Sequence, residues 1–217
     1  MKRALRREYG IYVVTDESLS RGLSHTQIAE RAVAGGADVI QLRDKRLEGR
    51  KLLEHARAIR KLTRKAGKLF MVNDRLDIAL ASGADGVHLG QEDMPLADAR
   101  PLCPKGFLIG VTVHDVEEAV RAGKEGADYV GLSPIFTTGS KRDAGNACGL
   151  GMLKAVKRAV SIPVVAIGGI GPGNARSVLD AGADGLAVIS AVVSQPDVKA
   201  ATRKLKAIME ACRNKKG

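Results

Sequence analysis

Tryptophan is absent from the chain, and phenylalanine and tyrosine occur only three times each. The apolar material available for a core is therefore Val, Ile, Leu and Ala, the composition of parallel strands buried on both faces and covered by helices. Cysteine is scarce too: Cys103, Cys148 and Cys212 are scattered, odd in number and form no CxxC pair, which excludes a disulfide framework and a zinc site of that kind. No run of about 18 apolar residues exists, so no membrane span or membrane partner is expected. The basic stretch from Met1 to Arg7 is followed by an apolar segment, Ile11 to Val14, that is too short for a signal peptide. A cytoplasmic location is the expectation.

Positive charge, by contrast, is abundant, with a net +11. Lys2, Arg3, Arg6 and Arg7 form a basic N-terminal extension over residues 1–8. A basic C-terminal helix over about 197–212 and its tail contribute Lys199, Arg203, Lys204, Lys206, Arg213, Lys215 and Lys216, and the helix near Arg50 to Lys68 is basic as well. A nucleic-acid surface is one explanation, but no recognised binding motif or aromatic platform accompanies the charge. Solvated basic helix faces are the reading adopted, with no nucleic-acid partner, and part of the field can draw polyanionic substrates inward. At 217 residues the chain fits one domain with its own core, near the short end for an eight-fold α/β barrel.

An internal echo organises the sequence. Gly36-Ala37-Asp38, Gly83-Ala84-Asp85, Gly126-Ala127-Asp128 and Gly182-Ala183-Asp184 each follow an amphipathic helix and each precede a short apolar strand. Glycine tolerates the left-handed backbone that ends a helix. Between the echoes lie Ile11–Thr15, Leu69–Asn73, Leu108–Thr112 and Val164–Ile167, apolar and β-branched, each followed by a polar or Gly-rich turn. The helices have 3.6 periodicity: Leu52, Leu53, Ala56, Ile59, Thr63 and Ala66 share one face, as do Val198, Ala201, Leu205, Ile208 and Cys212. Asp115 followed by Glu118 resembles a capping box. Eight strands alternating with helices imply an α/β fold of one closed parallel (β/α)8 TIM barrel. An open doubly wound sheet is the runner-up, but nothing resembles GxGxxG after the first strand.

In such a barrel, function gathers at the C-terminal ends of the strands, and the polar residues fall there. Strand two ends Gln41-Leu42-Arg43-Asp44-Lys45; by alternation Gln41, Arg43 and Lys45 point into the barrel mouth. An Arg fork and a Lys point charge suit a diphosphate, although an Arg43 salt bridge to a neighbouring strand with a solvated Lys45 would give the same sequence. Strand three ends Asn73-Asp74, and the loop after strand four carries Gln91-Glu92-Asp93. Two carboxylates on adjacent strand ends can share one Mg²⁺; equally, Asp74 can cap a helix starting at Arg75 and Asp93 can help start one near Pro95. Strand five ends Thr112-Val113-His114, with Thr112 and His114 of one parity and the role of His114 open. Strand six runs into a hydroxyl-rich loop, Ser133 to Lys141, suited to closing over an anion. Gly168-Gly169 after strand seven and Ile189-Ser190 after strand eight match the recurrent phosphate site of these barrels.

Gln41–Lys45, Val72-Asn73-Asp74-Arg75, Gly86-Val87-His88-Leu89-Gly90-Gln91, Pro134-Ile135-Phe136, Ala166-Ile167-Gly168-Gly169-Ile170 and Gly182-Ala183-Asp184-Gly185 together resemble the thiamine-phosphate synthase family, from about Tyr12 to Ser190. The resemblance implies that Gln41, Arg43, Lys45, Asn73, Thr112 (a Ser in the family) and Lys141 hold an aminopyrimidine diphosphate. It implies Asp74 and Asp93 as Mg²⁺ ligands, and Thr138, Gly139, Ser140, Gly169, Ile189 and Ser190 as the thiazole-phosphate site. On this resemblance Arg43, Lys45 and Lys141 would be the catalytic cations. The implied chemistry is loss of diphosphate from the pyrimidine methylene, giving a carbocation that the thiazole nitrogen attacks. Thr137, Ser140 and Ser133 depart from the usual Pro, Thr and Gly, which bears on loop stiffness and closing rate. A related thiazole tautomerase shares the barrel but needs neither the Asp pair nor the Gln41/Arg43/Lys45 row. A non-catalytic phosphate-ligand or RNA-binding barrel is the rival from another class. The expected partners are small phosphorylated molecules; a homo-oligomer is compatible with the sequence, which does not fix the number of chains.

Overall fold

Short strands of Val, Ile and Leu alternate with helices along the chain and close into a barrel in the computed structural model, which describes residues 9–139 and 146–214. In chain order the elements are β1 (Gly10–Val14), α1 (His25–Ala34), β2 (Val39–Leu42), α2 (Gly49–Lys65), β3 (Leu69–Asn73), α3 (Leu76–Ser82), β4 (Gly86–Leu89) and α4 (Leu96–Ala99). They continue as β5 (Leu108–Val113), α5 (Val116–Lys124), β6 (Tyr129–Leu132), α6 (Gly149–Ala159), β7 (Val164–Ile167), α7 (Ala175–Asp180), β8 (Gly185–Val188), α8 (Ser190–Val193) and α9 (Val198–Arg213). Each strand pairs in parallel with its sequence neighbours, and β1 closes on β8 with Gly10 opposite Gly185 and Val13 opposite Val188. This is the expected (β/α)8 TIM barrel. No helix among the described residues is long and apolar enough to cross a membrane.

The fourfold Gly-Ala-Asp echo has a structural cause beyond ending helices. Gly36, Gly83, Gly126 and Gly182 all have positive φ, as the left-handed helix exit requires. The Asp that follows then reaches sideways to the preceding strand. Asp38, Asp85, Asp128 and Asp184 accept hydrogen bonds from the backbone N–H groups of Ile11 (2.9 Å), Phe70 (2.8 Å), Ile109 (2.8 Å) and Val164 (2.7 Å). Each carboxylate also meets a cation: Lys206 and Lys68 on Asp38, Arg60 on Asp85, Arg100 on Asp128 and Lys157 on Asp184. These carboxylates girdle the amino-terminal rim of the barrel, the end opposite the loops that carry function. Part of the basic charge of α2 and α9 therefore neutralises this girdle.

The helices cover the strands with one face each, with two departures from the expected stripes. On α9 the fully buried positions are Val198, Thr202, Leu205, Met209 and Cys212, so Thr202 and Met209 occupy the centre while Ala201 and Ile208 lie at its edge. Steps of four and three residues hold one azimuth on a 3.6-residue helix, and Thr202 satisfies its hydroxyl on the Val198 carbonyl at 2.7 Å. On α2, Leu52, Ala56, Ile59 and Thr63 are buried, but Ala66 lies past the helix end and is exposed. The capping box expected at α5 forms by half. Asp115 accepts from the Glu118 N–H at 2.9 Å, whereas Glu118 turns to the N–H and Nδ1 of His114. A complete box stands instead on α1, between Ser24 and Gln27.

Candidate active site

The loop from β2 to α2, which carries Arg43 and Lys45, is held by a directed chain of hydrogen bonds. The Asp44 carboxylate accepts from the N–H groups of Arg46 (2.7 Å) and Leu47 (2.8 Å) and meets Nε2 of His25 at 3.1 Å. Nδ1 of His25 lies 2.7 Å from the Thr15 hydroxyl, whose oxygen also accepts the Arg43 backbone N–H at 3.3 Å. His25 is fully buried, and desolvation holds its imidazole below the ordinary range against the pull of Asp44 and Glu17. A neutral ring with Nε2–H on Asp44 and Nδ1 accepting from Thr15 satisfies every partner.

Arg43 is left incompletely satisfied. Its guanidinium reaches Asp16 only at 3.4 Å, and its Nε is buried with no hydrogen-bond partner. A buried donor in that state costs about 1–3 kcal/mol, and an anion entering the mouth would relieve it. The salt bridge that the sequence allowed for Arg43 therefore exists, but it is long and leaves the inner face of the fork open.

Asp74 does not cap α3: the N-cap position is Arg75 and no side chain caps that helix. Instead, Asp74 has φ 62°, alone among the described residues other than glycine. Its carboxyl lies close enough to that of Asp93 for the two to act on each other electrostatically. Asp93 in turn accepts from the Gly90 N–H at 2.6 Å and does not cap α4. Burial first, and then the facing Asp93, push the Asp74 carboxyl up to about 6, opposed by Lys45 and Arg43. Lys45 Nζ stands 3.8 Å from Asp74. Arg43, Lys45, Asn73, Asp74, Asp93, Thr112 and His114 line one cavity of about 280 Å³.

Gln41 lies deeper than the mouth. Its side chain is buried and its Nε2 donates to the Tyr12 hydroxyl at 2.8 Å. It lines a small inner cavity of about 20 Å³ with Tyr12, His88, Thr112 and Tyr129, because Gln41 stands within β2, which ends at Leu42, whereas Arg43 and Lys45 lie in the loop beyond the strand. Tyr12, Tyr129 and His88, none of them site candidates from sequence, join Gln41 to Thr112 in a continuous series of contacts between 2.8 and 3.0 Å.

A second cavity of about 590 Å³ opens beside the first, and Ser133 lines both. Its wall includes Thr138, Gly139, Gly169, Ile189 and Ser190 but no charged side chain among the described residues. Gly168 (φ 104°) and Gly169 (φ 62°) are required by the loop after β6: a Cβ at Gly168 would meet Pro134 at 2.5 Å, and one at Gly169 would meet Phe136 at 2.8 Å. Close approach of that loop, whose Phe136 N–H donates to Gly168 O at 3.1 Å, is thus a reason for these glycines in addition to the phosphate approach expected from sequence. Ser140 and Lys141 lie outside the described residues.

Apart from Gln41, which lies beneath, the expected residues that the structure describes fall in two groups: a charged cavity over β2 to β5 and an uncharged one over β6 to β8. The family described as thiamine monophosphate synthase matches residues 11–192. A protein named thiamine-phosphate synthase from Methanocella arvoryzae is 64% identical over 202 residues, 93% of this chain and 95% of that one. Its namesake from Methanoculleus marisnigri is 63% identical over 198 residues, covering 91% and 94%. The solved structure of thiamine phosphate pyrophosphorylase from Pyrococcus furiosus superposes with a TM-score of 0.89 at 45% identity, covering 96% of this chain and 98% of that one.

Proposed function

The chain belongs to the thiamine monophosphate synthase family, and we propose how its two cavities divide that family's reaction between them. It is a transferase of the thiamine-phosphate synthase type, which releases pyrophosphate. The reaction proposed joins 4-amino-2-methyl-5-(diphosphooxymethyl)pyrimidine to 4-methyl-5-(2-phosphooxyethyl)thiazole. The observation that carries the reading is the meeting at Ser133 of a charged cavity and an uncharged, glycine- and hydroxyl-lined one. The first suits a diphosphate, the second a heterocycle with a single phosphate.

In the charged cavity, Arg43 offers its unpartnered Nε and Lys45 its ammonium to the diphosphate, while Asn73 and the Thr112 hydroxyl add neutral donors. Gln41 approaches from below, and Lys141 joins the cations by the family resemblance. Asp74 and Asp93 would hold the divalent cation. The chemistry of the pair fits: two half-buried, neighbouring carboxylates repel unless they share a proton or a cation, and Mg²⁺ is content with few protein carboxylates. Among the described residues no cluster of three or more His, Cys, Asp or Glu side chains forms a metal site, so waters and substrate oxygens would complete the shell. When bound, the cation neutralises charge on the departing diphosphate.

The C–O bond to diphosphate breaks with its electron pair leaving on the phosphate, and the lone pair of the thiazole nitrogen forms the new C–N bond. No protein nucleophile is needed. The cations stabilise the leaving group where its charge develops. The second cavity, with Thr138, Gly139, Ser140, Gly169, Ile189 and Ser190 toward the single phosphate, holds the nitrogen near the methylene and excludes water that would trap the carbocation. Asp93→Ala tests the reading. It should abolish Mg²⁺-dependent turnover and Mg²⁺-induced stabilisation while the far-ultraviolet circular dichroism is unchanged; undiminished turnover would remove the metal assignment.

A further inference from the structure

Five side chains make a hydrogen-bonded relay through the barrel core. Gln41 Nε2 lies 2.8 Å from Tyr12 Oη, Tyr12 Oη 2.9 Å from Tyr129 Oη, Tyr129 Oη 3.0 Å from His88 Nδ1, and His88 Nε2 2.9 Å from Thr112 Oγ1. The first end is buried and the last opens on the charged cavity. The relay is built into the strands. A Cβ on Gly110 of β5 would strike the Tyr129 ring, and one on Gly131 of β6 would meet His88 Cε1 at 2.9 Å. Two strand glycines thus leave room for these rings.

The polarity of the relay follows from counting protons. Burial keeps both phenols protonated, far above their ordinary range, so each hydroxyl has one hydrogen to donate. Gln41 donates its N–H to Tyr12. If Tyr12 donates onward to Tyr129, then Tyr129 donates to Nδ1 of His88, the ring carries its proton on Nε2, and Nε2–H points at the Thr112 oxygen. Every hydrogen then finds an acceptor. The reverse order gives Tyr12 two incoming donors and strands its own buried hydrogen, which costs about 1–3 kcal/mol.

We infer that Tyr12, Tyr129 and His88 are positioning residues whose one-way relay occupies the acceptor side of the Thr112 hydroxyl and commits its proton to a diphosphate oxygen in the charged cavity. The inference rests on the functional reading above and adds a direction to it. A donor fixed in advance toward developing negative charge works without reorientation at the moment of reaction. Hydroxyl rotation by Thr112 alone would allow it to donate to His88 instead and offer the leaving group only a lone pair.

The test begins with the free protein. The ¹⁵N spectrum of the imidazoles at pH 8, with the His88 resonances assigned by their loss in His88→Gln among the four histidines, should show the Nε2–H tautomer at His88. The Nδ1–H tautomer, which a turned-over Gln41 amide would produce, overturns the inference. Tyr129→Phe should lower kcat roughly tenfold and Thr112→Val roughly 10- to 100-fold, each the worth of one charge-assisted hydrogen bond, while Thr112→Ser keeps activity. The double variant should be no slower than Thr112→Val, since the relay acts through that hydroxyl. Losses that multiply would assign Tyr129 a merely structural role and refute the relay. The tautomer needs no turnover, so a wild-type protein that makes no thiamine phosphate would sink the functional reading while the relay is still judged by the spectrum.

Discussion

Replacing Asp74 by Asn should make the cation-free protein more stable while destroying its function. In the folded chain without a divalent cation, burial and the facing Asp93 raise the Asp74 carboxyl from 3.8 to about 6. Its side chain is 22% exposed, so solvent screens the effect only weakly. A shift of roughly two pKa units corresponds to about 3 kcal/mol at pH 7. The sign is that of a raised folded-state value: Asp74 costs the fold nothing below pH 3.8, and the penalty grows as pH rises through 6. Asn is isosteric, uncharged and tolerant of the left-handed backbone that Asp74 adopts, so Asp74→Asn removes the penalty without adding strain. In EDTA at pH 7.5 the variant should melt roughly 6 to 12 °C above wild type, and at pH 4 the difference should shrink to about 1 to 2 °C. Added Mg²⁺ should raise the melting temperature of wild type and leave the variant unmoved. A variant less stable than wild type in EDTA, or a difference independent of pH, would refute the carboxylate-pair argument.

Other consequences are as direct. Arg43→Lys keeps a charge but loses the buried Nε and the planar fork, so kcat/KM for the pyrimidine diphosphate should fall roughly 10- to 100-fold, with the KM for the thiazole phosphate unchanged in steady-state kinetics. His25, held below its ordinary range by burial, contributes stability that is complete above pH 6.5 and is lost as pH falls through its folded value. Urea midpoints should therefore drop between pH 7 and 5 more steeply for wild type than for His25→Gln. Gly168→Ala, with φ 104° and Pro134 at 2.5 Å from the new methyl, should displace the loop after β6 and raise the KM for the thiazole phosphate, as read in initial rates.

The barrel was legible because its cause is periodic. The Gly-Ala-Asp echo marks where helix ends and strand begins, and the four aspartates turn out to clamp the preceding strand as well. The charged mouth was legible only in part: strand-end positions pointed to Arg43, Lys45, Asp74 and Asp93, but a salt bridge for Arg43 and helix caps for the two aspartates fitted the sequence as well, and the separation of these readings needed the contacts across strands. The relay was hidden for the opposite reason. Tyr12, Tyr129 and His88 occupy strand positions where an inward aromatic reads as ordinary core, and their partners stand on other strands. The signal available was steric: Gly110 and Gly131 inside apolar strands leave gaps that a neighbouring ring can fill. The exchange of Ala201 and Ile208 for Thr202 and Met209 at the centre of α9 is a local matter of azimuth, which a sequence with apolar residues at both sets of positions does not distinguish.

The account turns on cations at one rim drawing diphosphate from carbon, and quench-flow of wild type with both precursors measures this directly. It should release pyrophosphate and thiamine phosphate in equal amounts with Mg²⁺ and neither product after chelation. Release at the same rate in EDTA, or pyrophosphate without the coupled product, would contradict it.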